Sequence, residues 1–283
     1  MMIKKVFFLF FMIPLLCLAQ KETHKIYNSQ AKQVKYSKLL KKVSNADIIL
    51  FGEFHDNPII HWLQLELSRD LLALDTNLVL GAEMMESDDQ LILDEYLAGY
   101  YNSNKLISES KTWTNFETDY LPLIDFAKEN KLKFIATNIP RRYASMVYNF
   151  GIDTLESLSE QAKFFIAPLP IKIDTSLTSY NEMLAMGMGH GGDNLPKSQA
   201  IKDATMAHFI YKNLKFEGKF IHYHGAFHSK NYEGIYWYLK ELNPELEIIT
   251  IGCEEQENIF ELNEAHYKAD FIIVTPINMT KTH

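Results

Sequence analysis

The chain alternates short apolar runs with longer amphipathic segments. Six runs are rich in β-branched and aromatic residues and apolar throughout, as expected for strands of a sheet covered on both faces. They are 46–51, 77–82, 132–136, 219–223, 247–251 and 270–275. Amphipathic patterns predict helices near 58–74, 88–99, 119–130, 155–165, 197–214 and 232–242. This alternation predicts an α/β fold with a mostly parallel sheet flanked by helices.

The long stretch 138–218 has no convincing strand pattern. We therefore expect a helical insertion or subdomain between the third and fourth predicted strands. The chain has 283 residues, a length at which a single α/β domain is common. Such a domain buries roughly 75% of its unfolded surface and needs neither a metal nor a disulfide to fold. We predict one domain over 20–283.

The first residues have the pattern of an export signal. Lys4-Lys5 precedes an apolar run at 6–16, and small residues follow at a position suited to signal peptidase. A membrane-spanning helix needs about 20 apolar residues, so this run is too short to span. We predict a signal peptide over 1–19 and a mature chain that starts at Gln20 and is exported to the periplasm. A lipoprotein acylated at Cys17 is the less favoured alternative, because the residue before this cysteine is not small.

Composition and charge narrow the classes of partner. The chain has 28 basic and 36 acidic residues and a net charge of −8, which argues against nucleic acid or an anionic membrane as the main partner. Its hydrophobic fraction of 47% and charged fraction of 23% are those of an ordinary globular protein. Cleavage after residue 19 would leave Cys253 as the only cysteine, which excludes an intramolecular disulfide and a cysteine-based zinc site.

Histidines and carboxylates follow the ends of three predicted strands. Glu53 and His55 follow the first strand, Glu83 follows the second, and His228 follows the fourth. Ligands of open α/β sheets bind beyond the carboxyl ends of the strands, so we expect these four side chains to converge in one cleft. Imidazole and carboxylate groups also suit divalent metals, which makes His55, Glu83 and His228 candidate metal ligands. Each motif alone is also compatible with a simple surface turn.

Two further features leave alternatives open. Arg141 and Arg142 follow the third predicted strand, where they either form salt bridges or bind a carboxylate such as a haem propionate. Met188 and His190 lie in a methionine- and glycine-rich stretch. This stretch is either a glycine loop with methionines filling the core, or a segment that contacts a ligand through an iron-binding side chain.

Five segments resemble the haem-binding uptake family of exported bacterial proteins named after ChaN, within the Tiki/TraB/erythromycin-esterase superfamily. They are FGEFHDNPIIHWLQLEL (51–67), LGAEMME (80–86), YLPLIDFAKENKLKFIATNIPRR (120–142), QAIKDATMAHFI (199–210) and HYHGAFHSKNYEGIYWYL (222–239). The resemblance implies an α/β fold with a helical subdomain, export, and haem binding for iron uptake or storage. It also implies haem at a subunit interface, hence a homodimer, with a tyrosine as iron ligand and association with the outer membrane as a further expectation.

We expect the haem ligands to lie in the helical insertion. Tyr143 is the candidate tyrosine, with Met188 and His190 as other candidate ligands, and Arg141 and Arg142 as candidate partners of the propionates.

The wider superfamily that the chain resembles suggests a second function. It includes metal-dependent proteases and hydrolases marked by two Gly-x-x-His motifs and a glutamate. Gly52–His55, Gly225–His228 and Glu83 match this pattern. The alternative is therefore a metal-dependent peptidase or esterase, in which Glu53, His55, Glu83 and His228 are catalytic.

Overall fold

A computed structural model describes residues 22–74, 77–186, 192–263 and 268–283. The predicted signal peptide and its cleavage site, and the haem candidates Met188 and His190, lie outside these residues. No helix within the described ranges is long and apolar enough to cross a membrane.

The described residues form an eight-stranded sheet, in the order β2-β1-β8-β7-β3-β6-β4-β5. The strands are β1 (Lys25–Asn28), β2 (Gln33–Val34), β3 (Ile48–Glu53), β4 (Leu78–Glu86), β5 (Lys133–Asn138), β6 (Lys219–Gly225), β7 (Ile248–Gln256) and β8 (Phe271–Pro276). Strands β3 to β8 run parallel, whereas β1 is antiparallel to both of its neighbours. The predicted mostly parallel α/β fold is confirmed, and the short β1 and β2 at one edge are additions to it.

The helices cover both faces of this sheet. They are α1 (Tyr36–Val43), α2 (Pro58–Leu74), α3 (Gln90–Leu97), α4 (Ser103–Glu109), α5 (Leu121–Glu129), α6 (Arg141–Phe150), α7 (Glu160–Lys163), α8 (Thr178–Met186), α9 (Asn194–Glu217) and α10 (Ile235–Leu242). The helix expected at 155–165 is broken. A 3-10 helix ends at Ser157, Leu158 is extended, and the Ser159 side chain accepts a hydrogen bond from the backbone of Ala162 to begin α7.

Two hydrophobic cores lie on opposite faces of the sheet. Successive side chains of a strand point to opposite faces, so Ile221 and Tyr223 of β6 belong to one core while Phe220 belongs to the other. The first core is covered by α1 to α5, and the second by α6, α9 and α10. The described residues between β5 and β6 are helical or irregular, and α9 lies along the second face. The parallel strands have their carboxyl ends at the same edge of the sheet.

Candidate functional site

Three neighbouring strands bring the predicted residues together. Strand β6 lies between β3 and β4, and all three end at the same edge of the sheet. Gly52 allows the loops to approach closely, because a Cβ at this position would lie 2.8 Å from the Cα of Ala226. The structure thus places Glu53, His55, Glu83 and His228 around one cleft, while their catalytic role remains a prediction.

Glu53 is a buried carboxylate that holds His55 in place. Its Oε1 lies 2.9 Å from His55 Nδ1 and accepts a hydrogen bond from the Tyr120 hydroxyl at 2.8 Å, while its Oε2 accepts from Gln64 Nε2 at 2.6 Å. Burial raises the pKa of Glu53, but the hydrogen bonds and the nearby imidazoles outweigh burial and lower this pKa. Glu53 is therefore ionised and fixes the orientation of the His55 ring.

The other nitrogen of His55 faces the cleft. A Cβ on Gly225 would lie 2.8 Å from His55 Nε2, which places this nitrogen against the end of β6. Burial lowers the pKa of His55, yet the hydrogen bond to Glu53 and the charge of Glu83 raise it above its ordinary value. An imidazole oriented by a carboxylate at Nδ1 can exchange a proton or bind a ligand through Nε2.

The cleft beside His55 has a volume of about 510 Å³ and a partly apolar wall. Its lining includes Phe54, Met183, Ala226, Phe227 and Lys230. The Lys230 ammonium pairs with Glu182 and lies 4.1 Å from the centre of the Phe227 ring. This volume falls within the usual range for small-molecule pockets, roughly 300–1,000 Å³.

His228 is held between two buried carboxylates. Its Nε2 lies 3.1 Å from Glu83 Oε1, and its Nδ1 lies 2.5 Å from Asp203 Oδ1. Burial lowers the pKa of His228, but Glu83 and Asp203 outweigh burial and raise this pKa to about 10. The pKa of Glu83 is well below its ordinary value: burial opposes this shift, but the charge and hydrogen bond of His228 prevail. Burial raises the pKa of Asp203, while the charge and hydrogen bond of His228 oppose this shift.

This arrangement does not support the predicted metal site at His55, Glu83 and His228. Both ring nitrogens of His228 already contact carboxylates, so neither presents a lone pair to a metal. Glu83 Oε2 accepts a hydrogen bond from the Gly225 backbone at 2.8 Å. Within the described ranges, no group of three or more His, Cys, Asp or Glu side chains is placed to hold a metal ion.

Sequence reasoning missed Asp203, which lies on α9 and is 1% exposed. Its second oxygen accepts a hydrogen bond from the Tyr180 hydroxyl at 3.0 Å. Helical spacing could have indicated that Asp203 is buried, because it shares a helix face with the buried Ala200 and Ala207. A carboxylate on a buried helical face needs a partner.

Two further histidines, His222 and His224, form a buried pair inside β6. Their Nδ1 atoms are 3.1 Å apart, His222 Nε2 lies 2.7 Å from Thr137 Oγ1, and His224 Nε2 lies 2.8 Å from Ser229 Oγ. Burial and the charge of His228 lower the pKa of His224 to about 3, and burial also holds the pKa of His222 well below its ordinary value.

We expect both rings to stay neutral throughout the pH range in which the protein is folded. Nitrogen-15 NMR of the imidazole groups should show no protonation of His222 or His224 between about pH 5 and 8, where an ordinary histidine titrates. Titration of either buried ring near pH 6.5 would contradict the expectation.

A second cavity adjoins the cleft. It has a volume of about 400 Å³ and lies between α6 and α9. We call this the α6–α9 groove; Trp113, Arg141, Tyr148, Leu195 and Lys202 line it, and Glu83 lies between it and the cleft. The Tyr148 hydroxyl and the Lys202 ammonium form no hydrogen bond or ion pair with the described residues.

The haem candidates from the sequence occupy different environments. Tyr143 is 8% exposed, packs in the second core, and accepts a hydrogen bond from Arg142 at 3.2 Å. Arg141 pairs with Glu86, and Arg142 with Asp88 at 2.5 Å. Both arginines are exposed and retain further N–H donors. The role of these three side chains in haem binding remains a prediction, and Tyr143 offers a ligand little access.

Comparison with known proteins identifies the family. Residues 39–239 match the sequence profile of haem-binding uptake proteins of the Tiki superfamily, ChaN. The chain belongs to this family. The resemblance found in the sequence is thereby confirmed, and family membership supports haem as the ligand. No curated protein sequence matches the chain.

Solved structures share this fold at low sequence identity. A structure described as cofacial haem binding to ChaN of Campylobacter jejuni matches with a TM-score of 0.68 and 18% identity, over 90% of this chain and 98% of that one. A succinoglycan biosynthesis protein matches with a TM-score of 0.51 and 12% identity, over 84% and 90% of the two chains. These comparisons do not favour the hydrolase alternative.

Proposed function

We propose that this protein binds haem in the α6–α9 groove and serves haem uptake or storage. The observation that carries the proposal is the family match over 39–239, which includes the whole of α6 and α9 and therefore both helices that border the groove. The groove adds an indole wall, and also a phenol and an ammonium that have no hydrogen-bond or ion-pair partner among the described residues. Haem requires an apolar slot, an axial ligand and cationic groups for its propionates.

Each group in the groove has a role suited to haem. The Tyr148 hydroxyl is the proposed iron ligand, because it is half-buried, lines the groove and has no partner among the described residues. Trp113 provides an aromatic wall, and Lys202 and Arg141 provide positive charge for the propionates. Haem, when bound, supplies the iron, and the chain's own residues orient the cofactor and limit the access of water.

Assembly and location complete the proposal. The Campylobacter jejuni neighbour is described as binding haem cofacially. We extend this arrangement to the present chain, with two copies bringing their grooves together around the cofactors. The signal-like residues 1–19 support export to the periplasm or the outer membrane. Sedimentation with and without haem tests the dimer, and N-terminal sequencing from the native host tests cleavage before Gln20.

The main prediction concerns Tyr148. Titration of the protein with ferric haem should give a saturable Soret band, and Tyr148→Phe should shift that band and weaken binding, because phenylalanine lacks the ligand oxygen. Lys202→Gln should weaken haem binding roughly 10-fold with an unchanged band, the usual scale for the loss of one charged hydrogen bond. Absorption titrations at constant ionic strength measure both effects.

Tyr143→Phe is the matched control, because Tyr143 lies on the same helix, is 8% exposed and packs in the second core. Haem binding should survive this change. If Tyr143→Phe shifts the Soret band and Tyr148→Phe does not, the iron ligand is assigned wrongly. If the wild-type protein takes up haem only weakly and without saturation, while His55→Ala abolishes an esterase or peptidase activity, the hydrolase alternative replaces the proposal.

A further inference from the structure

The sheet has two edges, formed by β2 and by β5. An edge strand presents backbone N–H and C=O groups that can pair with a strand of another molecule. Strand β2 has only two residues, and so short an edge strand offers little to pair with. Strand β5 has six residues, and the four at 134–137 are buried. The edge at β5 therefore needs a protection that the edge at β2 does not.

The backbone groups at the free edge of β5 belong to alternate residues. Among the described residues, β4 is the one strand that pairs with β5. The N–H and C=O of one residue of a strand point to the same side, and those of the next residue point to the opposite side. The Phe134 C=O and the Ala136 N–H both bond to a side chain of α3, which places the backbone groups of these two residues on the side away from β4.

The side chain that meets them is Gln90, the first residue of α3. Its Oε1 accepts a hydrogen bond from the Ala136 N–H at 2.7 Å, and its Nε2 donates to the Phe134 C=O at 3.0 Å. One residue of a further parallel strand would make the same two bonds, through its own C=O and N–H. The Gln90 carboxamide thus occupies the place of one residue of such a strand.

Asp94, one turn further along α3, fixes the direction of this carboxamide. Gln90 Nε2 donates its second hydrogen to Asp94 Oδ1 at 2.8 Å, so the nitrogen rather than the oxygen faces the carboxylate. Gln90 is half-buried and Asp94 is exposed. A cavity of about 450 Å³ lies beside them, with the exposed Lys133 and Lys212 in its lining. The contact is therefore made at the surface, where another molecule would approach the strand.

We propose that Gln90 keeps this edge of the sheet closed, and that its loss lets β5 pair with β5 of a second copy of the chain. A second copy is the partner because two identical edges can pair antiparallel about a twofold axis, each strand offering the same groups to the other. The apolar residues Phe134, Ile135 and Ala136 favour such pairing. The proposal does not rest on haem binding, since Gln90 lines neither the cleft nor the α6–α9 groove.

The test compares Gln90→Ala with wild type, both as residues 1–283 and both without haem. Association through any other surface is then common to the two proteins. Sedimentation velocity over a range of concentrations should give the variant a dimer association constant greater by roughly 10-fold or more, the scale of one or two net hydrogen bonds. Hydrogen exchange of the Ala136 amide should be faster in the variant at the lowest concentration, because its acceptor is gone, and should slow as the variant dimerises.

Gln90→Glu separates protection of the edge from simple loss of a hydrogen bond. Its carboxylate still accepts from the Ala136 N–H but cannot donate to the Phe134 C=O, and a charge at the edge opposes pairing. This variant should associate no more than wild type. Gln161→Ala is the matched control for loss of a surface glutamine, because Gln161 is exposed on α7, and it should also leave association unchanged.

Circular dichroism establishes that each variant is folded, and Gln90→Leu, which preserves the side-chain volume, replaces Gln90→Ala if the latter is not. The proposal is overturned if the folded variant associates no more than wild type. It is also overturned if Gln90→Glu or Gln161→Ala associates as strongly as Gln90→Ala, or if the Ala136 amide of the associated variant exchanges as fast as that of its monomer.

Discussion

Replacing His228 with leucine is expected to destabilise the protein by about 3–5 kcal/mol, the usual cost of removing one partner from a buried ion pair. The change leaves Glu83, which is 6% exposed, and Asp203, which is 1% exposed, without their shared cation. The two carboxylates then face each other across the space left by the imidazole. Urea unfolding of wild type and variant at pH 7 measures the difference in free energy.

The pH dependence of stability provides a second readout of the same interaction. The pKa of His228 is raised to about 10 in the fold, so its contribution is complete below the ordinary value near 6.5 and is lost as the pH rises through 10. The pKa of Glu83 is lowered, so its contribution is present above the ordinary value near 4.5 and is lost as the pH falls. Wild-type stability should therefore decline from about pH 6.5 towards pH 10, and His228→Leu should lack this decline.

His208→Leu is the control for loss of an imidazole from α9, because His208 is half-buried and contacts no carboxylate of the described residues. Its effect on unfolding should stay below about 1 kcal/mol, as for most substitutions away from buried charges. Equal destabilisation by the two variants, or an unchanged alkaline slope in His228→Leu, would show that the buried ion pairs do not carry the stability.

The parallel sheet could be predicted because its strands are buried on both faces. Strand β3 is apolar up to its last residue, and every residue of β6 is buried although the strand contains one lysine and two histidines. Strands β1 and β2 escaped prediction because they are short edge strands: Lys25–Asn28 is half polar, and Gln33–Val34 has only two residues. Strand β1 joins the sheet by pairing with β8, which lies more than 240 residues away in the sequence, and β2 pairs with β1.

The sequence predicted those side chains of the candidate site that lie at or near strand ends. Glu53 ends β3 and Glu83 lies in the last part of β4, while His55 and His228 follow β3 and β6. These three strands are neighbours in the sheet, so local reasoning brought the four side chains to one edge. Asp203 was not predictable in this way, because only the packing of α9 across the sheet brings it to His228.

The sequence alone does not specify how the tyrosines of α6 pack. Tyr143, which follows the arginine pair, shares the buried face of α6 with Ala144 and Val147, and its role in haem binding stays a prediction. Tyr148 lies one position beyond that face and reaches the groove. From helical periodicity alone, Tyr143 and Tyr148 both lie near the boundary of the buried face of α6. The packing of α9 against α6 determines that Tyr143 is buried and that Tyr148 lines the groove.

Gly52→Val should destabilise the protein by about 3 kcal/mol, at the upper end of the cost of overpacking. A Cβ at Gly52 lies 2.8 Å from the Cα of Ala226, and backbone cannot move aside without separating β3 from β6. Urea unfolding at pH 7 measures the change.

Gly225→Ala tests the same crowded edge with a neighbour that can move. Its new methyl group would lie 2.8 Å from His55 Nε2, which is the far end of a side chain. We expect a cost below about 1 kcal/mol, because the ring can rotate away rather than strain the sheet. The rotated ring would lose its hydrogen bond to Glu53, so the pKa of His55 should fall towards its ordinary value in an NMR titration. A Gly225→Ala protein as unstable as Gly52→Val, with an unchanged His55 pKa, would mean that His55 is fixed by the sheet rather than by Glu53.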